Sequence, residues 1–206
     1  MVKIGRCIGV KRNSGFTMIE LLVAIVVLGI LMGVAIPTVL NVLTDSRNRT
    51  YIDDAIRMSS TFDQQMRKDN MMPIPAVGSC IMMNLTYLDN NTFNDAPYDG
   101  EYDRVYSFVV ARRENLSDYY YYPRLVEKLP KGDSGYRGVD LVEVDRLYEK
   151  DAKDKYAKSI GKTKLFDSSE KAGNVTELKS ILSGYGISCN SVIVYAPSAE
   201  DDNPDD

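Results

Sequence analysis

The sequence predicts an α+β fold: a long N-terminal helix packed against a small antiparallel sheet, with extra surface helices. Three observations predict it. Residues 21–40 are apolar, small or Pro apart from Thr38. After Asn41 the apolar positions recur every three or four residues, the period of an amphipathic helix. Beyond residue 70 short apolar runs alternate with turns marked by Gly, Pro and Asn.

The N-terminal element begins with a leader carrying Lys3, Arg6, Lys11 and Arg12 and no acid, which ends at Gly15. Phe16 opens the apolar segment, and about 20 such residues suffice to cross a hydrocarbon core. Basic residues on its N-terminal side keep that side cytoplasmic and place the C-terminal domain outside. An ordinary secretory signal is cut after its apolar core, beside small residues. The stretch Asn41-Val42-Leu43-Thr44-Asp45 offers no such step. Glu20 sits one helical turn into the apolar segment. An acid at a helix centre in lipid costs about 2.5–3.5 kcal/mol, less near the interface, so a lone acid is read as functional. The bland alternative places it at the headgroup level. Gly29 and Gly33 each weaken the helix by about 1 kcal/mol relative to Ala. Pro37 withholds the donor that the Gly33 carbonyl would receive. Residues 29–37 are therefore the softest part of the helix, prone to bend or partly melt when it is repacked. The same glycine pair suits a close helix–helix contact with a static kink at Pro37, and both readings stay open.

Together, Lys11 and Arg12, the Gly15–Phe16 step, Thr17, Glu20, the Leu21-Leu22-Val23 run, and Gly29, Gly33 and Pro37 resemble the prepilin signal of type IV pilins and type II secretion pseudopilins. Met18, where many relatives carry Leu, departs from it. The resemblance covers roughly residues 1–60. It implies that an aspartyl prepilin peptidase cuts after Gly15 and that the new Phe16 amine is N-methylated. It also implies that Glu20 meets that amine on a neighbouring copy and sets the axial register of a filament. The implied domains are a cleaved cytoplasmic leader (1–15), a transmembrane or filament-core helix (16–43) and a soluble pilin-like domain (44–206). The implied partners are further copies of the chain or other pilins, the peptidase, the membrane and an inner-membrane assembly platform. The expected protein is a single-pass membrane protein before assembly, then part of a cell-surface pilus or envelope filament, with twitching motility and adhesion among the family's roles. The rival within the class is a pseudopilin of a secretion or competence machine. A rival from another class is a membrane-anchored binding protein that keeps residues 1–15 and never polymerises.

Composition narrows the chemistry. The formal net charge is −4, and loss of the four leader cations lowers it to about −8, which argues against bulk binding of nucleic acid by the subunit. Histidine is absent, removing the commonest general base and transition-metal ligand. No nucleophile–base motif is present, so no enzyme and no cofactor is expected. Of three cysteines, Cys7 lies in the leader. Cys80 and Cys189 remain on the oxidising side, either as one disulfide or as two buried thiols. Five acids in residues 200–206 read as a solvated tail rather than a calcium site. The Asn-x-Ser/Thr triplets at Asn48, Asn84, Asn90, Asn115 and Asn174 read as chance.

The remaining elements follow from local pattern. Leu43, Ile52, Ala55, Ile56, Phe62 and Met66 form the apolar stripe of a helix that Pro73 and Pro75 stop near Asn70. Residues 71–101 read as loops. A strand over 105–111, a turn over 112–117 and a strand over Tyr119–Tyr122 before Pro123 make a hairpin, its four tyrosines used for sheet packing. Turns over 129–138 precede a helix over 141–159, started by an Asp140/Glu143 capping box and closed by Gly161. Asn174 and Glu177 start a shorter helix through Leu182, closed by Gly184. The last strand spans 191–196.

Overall fold

The computed structural model describes residues 15–88, 93, 95–129, 135–161 and 175–195. Helix α1 spans Met18–Lys68. The chain divides into two compact units, Met1–Leu43 and Thr44–Asp206. In the first unit α1 is long and apolar enough to cross a membrane, and its large apolar side chains are exposed throughout. The helix continues unbroken through Gly29, Gly33 and Pro37.

In the second unit the 44–68 half of α1 buries Tyr51, Ile52, Ala55, Met58, Ser59 and Phe62. Their 3–4–3 spacing is the predicted stripe, extended by Tyr51 and Met58, which the sequence reading omitted. Full burial of side chains of this size stabilises by about 1.5–3 kcal/mol each. The strands are β1 (Cys80–Asn84), β2 (Glu101–Tyr102), β3 (Phe108–Arg113), β4 (Tyr119–Lys128), β5 (Tyr136–Val139), β6 (Lys158–Ile160) and β7 (Val192–Val194). They form one sheet in the order β6-β5-β4-β3-β1-β7, with β2 also on β4. Every pairing is antiparallel except β1 with β7, which is parallel. The fold is α+β with a mixed sheet.

The sheet carries a core on each face. Ile81 and Met83 of β1 and Val109 and Ala111 of β3 join the core under α1. The alternate residues Cys80, Met82, Phe108 and Val110 join a second core with Leu178 and Leu182 of helix α5 (Val175–Gly184). This is the period-2 alternation of a strand, with both faces covered.

Several expectations are corrected. The loop-rich stretch 71–101 contains β1, β2 and the helical turn α2 (Leu85–Leu88). Because both faces of β1 are buried, its residues run Cys-Ile-Met-Met without polar alternation, and Met has little β preference. Arg112 and Arg113 belong to β3, leaving the turn to 114–118. Pro123 does not end its strand. Along 119–124 β4 pairs only with β3, so one edge needs no donor and proline is tolerated. The helix over 141–159 is replaced by two short helices, α3 (Val144–Leu147) and α4 (Ala152–Tyr156), followed by β6. The Asp140 carboxylate cannot cap: it pairs with the buried Arg124 at 3.2 Å and accepts the Tyr185 hydroxyl. Leu141 then takes a positive φ of 37°, which breaks helical geometry. The caps at Asn174, the turn at Pro130 and Gly132, the leader through residue 14, Asn90 and the acidic tail lie outside the described residues.

Tyrosines join the two layers. Tyr102 donates to Asp54 at 2.7 Å, Tyr121 to Asp63 at 2.5 Å, and Tyr195 to Asp69. Tyr51 donates to the buried carboxylate of Glu127, which also accepts the backbone N–H groups of Tyr98 and Gly100. A Cβ on Gly100 would lie 2.7 Å from that carboxylate oxygen and 2.6 Å from the Lys128 carbonyl, so glycine is required there. The triplet asparagine Asn84 is buried on β1.

Cys80 and Cys189 are joined by a disulfide, with Cα atoms 5.6 Å apart. It fastens the start of β1 to the segment entering β7. Cys80 N–H also donates to the Ser191 carbonyl at 2.8 Å, and Asn190 N–H to Gly78 at 2.9 Å.

Three outcomes follow. Gly138 has φ 147° and faces Val126 across the ladder, where a Cβ would fall 1.9 Å from the Leu125 carbonyl; Gly138→Ala should cost on the order of 3 kcal/mol in denaturant unfolding. Reducing the disulfide, which spans a separation of 109 residues, should lower stability by about 4–5 kcal/mol on the chain-entropy account. Chemical denaturation with and without reductant measures it. The third concerns pH. The Tyr195 hydroxyl holds the Asp69 carboxyl below its usual range, and Tyr195 itself is pushed up to about 12 by that bond. A lowered acid stabilises above the ordinary Asp range and loses this as pH falls. The raised tyrosine stabilises below its ordinary range and loses this as pH climbs through about 12. Tyr195→Phe should therefore be less stable than wild type across the neutral range, with the two converging in strong acid.

Candidate assembly site

Gly15, Phe16 and Thr17 are exposed and precede the first helical residue, Met18. The Thr17 hydroxyl accepts the Glu20 N–H at 3.3 Å. In return Glu20 Oε2 accepts the Thr17 N–H at 2.8 Å and the Thr17 hydroxyl at 2.9 Å. Leu21 N–H bonds the Thr17 carbonyl at 3.2 Å, closing the first turn. This is a reciprocal capping box, in which the cap and the third helical residue each satisfy the other's orphan backbone donor. The sequence reading treated Glu20 as a partner for another copy's amine or, alternatively, as an acid resting at the headgroup level. Its bonds to Thr17 were missed, although Thr17-Met18-Ile19-Glu20 carries the S/T-x-x-E signature.

The box explains how a carboxylate is tolerated beside so many apolar groups. Charge-assisted bonds to the acid are about twice as strong as neutral ones. The positive end of the helix dipole adds about 0.3–1 kcal/mol in the first turn. Both Thr17 donors converge on Oε2, so Oε1 remains open among the described residues. Ile19, Val23, Ala24, Val27 and Leu28 continue from Glu20 as an apolar strip along the helix. The site thus offers one oriented carboxylate oxygen at the end of an uncovered apolar surface.

Gly29 and Gly33 are exposed, and a Cβ at either would meet nothing within 4 Å. They therefore present the flattest stretch of the helix surface. Pro37 leaves the Gly33 carbonyl without its helical donor, while one residue on the Thr38 hydroxyl donates to the Val34 carbonyl at 3.2 Å. The structure brings Glu20 together with Thr17; it places Gly29, Gly33 and Pro37 further along the same helix, and the bonded Cys80 and Cys189 in the second unit. Lys11 and Arg12 lie outside the described residues. Among the described residues no three His, Cys, Asp or Glu side chains cluster in a way that could hold a metal.

A family model described as the prokaryotic N-terminal methylation motif matches residues 10–36. No curated protein and no solved structure gives a significant match. The matched stretch contains the Gly15–Phe16 step, the Thr17–Glu20 box, Gly29 and Gly33. The chain carries the N-terminal methylation motif that is the hallmark of type IV pilins and pseudopilins.

Proposed function

We propose that the chain is a structural subunit of a type IV pilus-like helical filament. The observation that supports this best is the coincidence of the methylation motif with a lone, pre-oriented carboxylate at the head of an exposed apolar helix. On this reading a prepilin peptidase removes residues 1–15 and Phe16 is N-methylated. Residues 16–43 first hold the chain in the membrane and then enter the filament core. Residues 44–206 form the outer sheath. Glu20 receives the Phe16 ammonium of an adjacent copy through the oxygen that Thr17 leaves open. An uncompensated acid in hydrocarbon is costly and the amine offsets it, so pairing fixes the axial step between copies. The work done is assembly rather than catalysis.

Mass spectrometry of material sheared from the cell surface tests the proposal. The expected N-terminus is N-methylated Phe16; material beginning at Met1 overturns the reading, since no amine then exists at that depth. Glu20→Ala should insert into the membrane at normal levels yet give filaments reduced by at least about tenfold, as expected when an interaction of about 1.4 kcal/mol or more is lost per contact. Abundance in the sheared fraction separates a pilus component from a pseudopilin confined to the envelope.

A further inference from the structure

Two arginines at the end of the second unit where α1 enters it carry donors that the chain leaves unspent. Arg47 and Arg137 both lie over the ring of Tyr98, with Cζ 4.8 and 4.7 Å from its centroid. Tyr98 is itself held: it stacks on Tyr51 at 6.0 Å, and its N–H donates to the buried Glu127 carboxylate at 3.1 Å. A stacked guanidinium is fixed in its plane and keeps its in-plane N–H groups for other partners. Few of them are used here. Arg47 reaches Asp99 at 3.4 Å, a carboxylate that is 86% exposed, and such a pair is worth little. Arg137 donates to Asn48 Oδ1 at 3.4 Å. Its buried Nε has no partner, and it forms no ion pair among the described residues. Two like charges on one ring repel each other, and a bound anion offsets that.

Position narrows the anion. Leu43 ends the exposed apolar stretch of α1, and Arg47 follows four residues later on the same helix. That is about 6 Å at about 1.5 Å per residue, within a headgroup layer about 5–8 Å deep on each side of the hydrocarbon. The bond to Asn48 keeps Arg137 beside the same turn. Arg49 and Lys153, which share the single carboxylate of Asp45, add two more cations there. Planar guanidinium donors match the oxygens of a phosphate, and a cation near an anionic lipid surface contributes about 1 kcal/mol.

We propose that Arg47 and Arg137 bind the phosphates of anionic phospholipid headgroups and so dock the folded unit on the membrane surface before assembly. Arg49 and Lys153 strengthen the attraction from the neighbouring turn. The inference rests on the reading that residues 16–43 first hold the chain in a membrane, and adds to it a lipid site on the folded unit. The contact is given up when the helix leaves the bilayer.

The test uses the full chain reconstituted into nanodiscs of phosphatidylcholine, with or without phosphatidylglycerol. Phosphatidylglycerol should slow hydrogen exchange over 96–101 and 136–139, and high salt should remove the difference. Native mass spectrometry of the chain released into detergent should show phosphatidylglycerol retained in preference to phosphatidylcholine. Arg47→Gln and Arg137→Gln should each weaken that retention about five-fold, the factor that about 1 kcal/mol per cation gives. Arg47→Lys, which keeps the charge, should retain more lipid than Arg47→Gln, a ranking that misfolding alone does not produce. Lys68→Gln, which removes a cation at the far end of α1, should change nothing. Equal retention of the two lipids, retention unchanged in both glutamine variants, or displacement by inorganic phosphate overturns the lipid site and leaves the membrane reading standing. Failure of the wild-type chain to insert into either nanodisc overturns the membrane reading and this site with it.

Discussion

Everything in the first unit answers to one constraint: a carboxylate must be held at the head of a helix that carries no other polar side chain until Thr38. Mid-helix, such a group would have only apolar neighbours and no free backbone donor. At the third helical position it lies where N–H groups are orphaned and the helix dipole is positive. Thr17 completes the arrangement by giving two donors to one oxygen. The position is therefore the least costly in the segment for a permanent charge. It also keeps the second oxygen turned away from the intrachain bonds, where a cation from outside could reach it.

The second unit solves a related problem without histidine. Acids on or just after α1 face the sheet, and each finds a tyrosine hydroxyl from a different segment: Tyr102 on β2, Tyr121 on β4 and Tyr195 after β7. Three bonds from three separated segments fix both the rotation and the axial position of the helix half on the sheet. The bonds are not equivalent. Burial raises Asp54 despite Tyr102 and Arg57, so its ionised form opposes folding as pH rises through its titration. Asp69 is lowered by Tyr195 and favours folding over the same change. Arg124 and Asp140 form the one deeply buried ion pair among the described residues. Burial depresses the arginine, so that pair supplies orientation more than net stability. Its placement, with Tyr185 on the same carboxylate, ties the turn after β5 to the end of α5.

How much of this was legible in the sequence depended on how many faces of an element are covered. The 44–68 half of α1 buries one stripe, so its 3.6 period was plain. Gly15, Phe16 and Glu20 stood out because charge and hydropathy change abruptly there. β1 was lost because two cores cover it, leaving a short apolar run that looks like no period at all. The helix expected over 141–159 failed for a different reason. Asp140 and Glu143 have capping spacing, but a buried arginine more than ten residues earlier claims the acid, and nothing local announces Arg124. Pro123 misled in the same way, since along 119–124 its strand has a partner on one side only, which is a tertiary fact. The Thr17–Glu20 box was visible locally. It was overlooked because the resemblance supplied a ready role for the acid.

The two halves of α1 place their burial in different hands. From Thr44 onward the apolar stripe is covered by the chain's own sheet, and the tyrosine–acid bonds make that cover unique. Before it, the apolar side chains remain exposed on every side, so lipid or other chains must cover them. Each would contribute about 1.5–3 kcal/mol on burial, which over so many residues far exceeds what any single polar contact supplies. That term is nonetheless non-directional: it favours covering the helix and is nearly indifferent to its axial offset or rotation. On the filament reading, order between copies then comes from the few directional groups available. These are the oriented carboxylate in the first turn of the helix and the polar and charged side chains of the folded unit. A chain built this way gains its driving force from the part with least information, and its specificity from the part with least area.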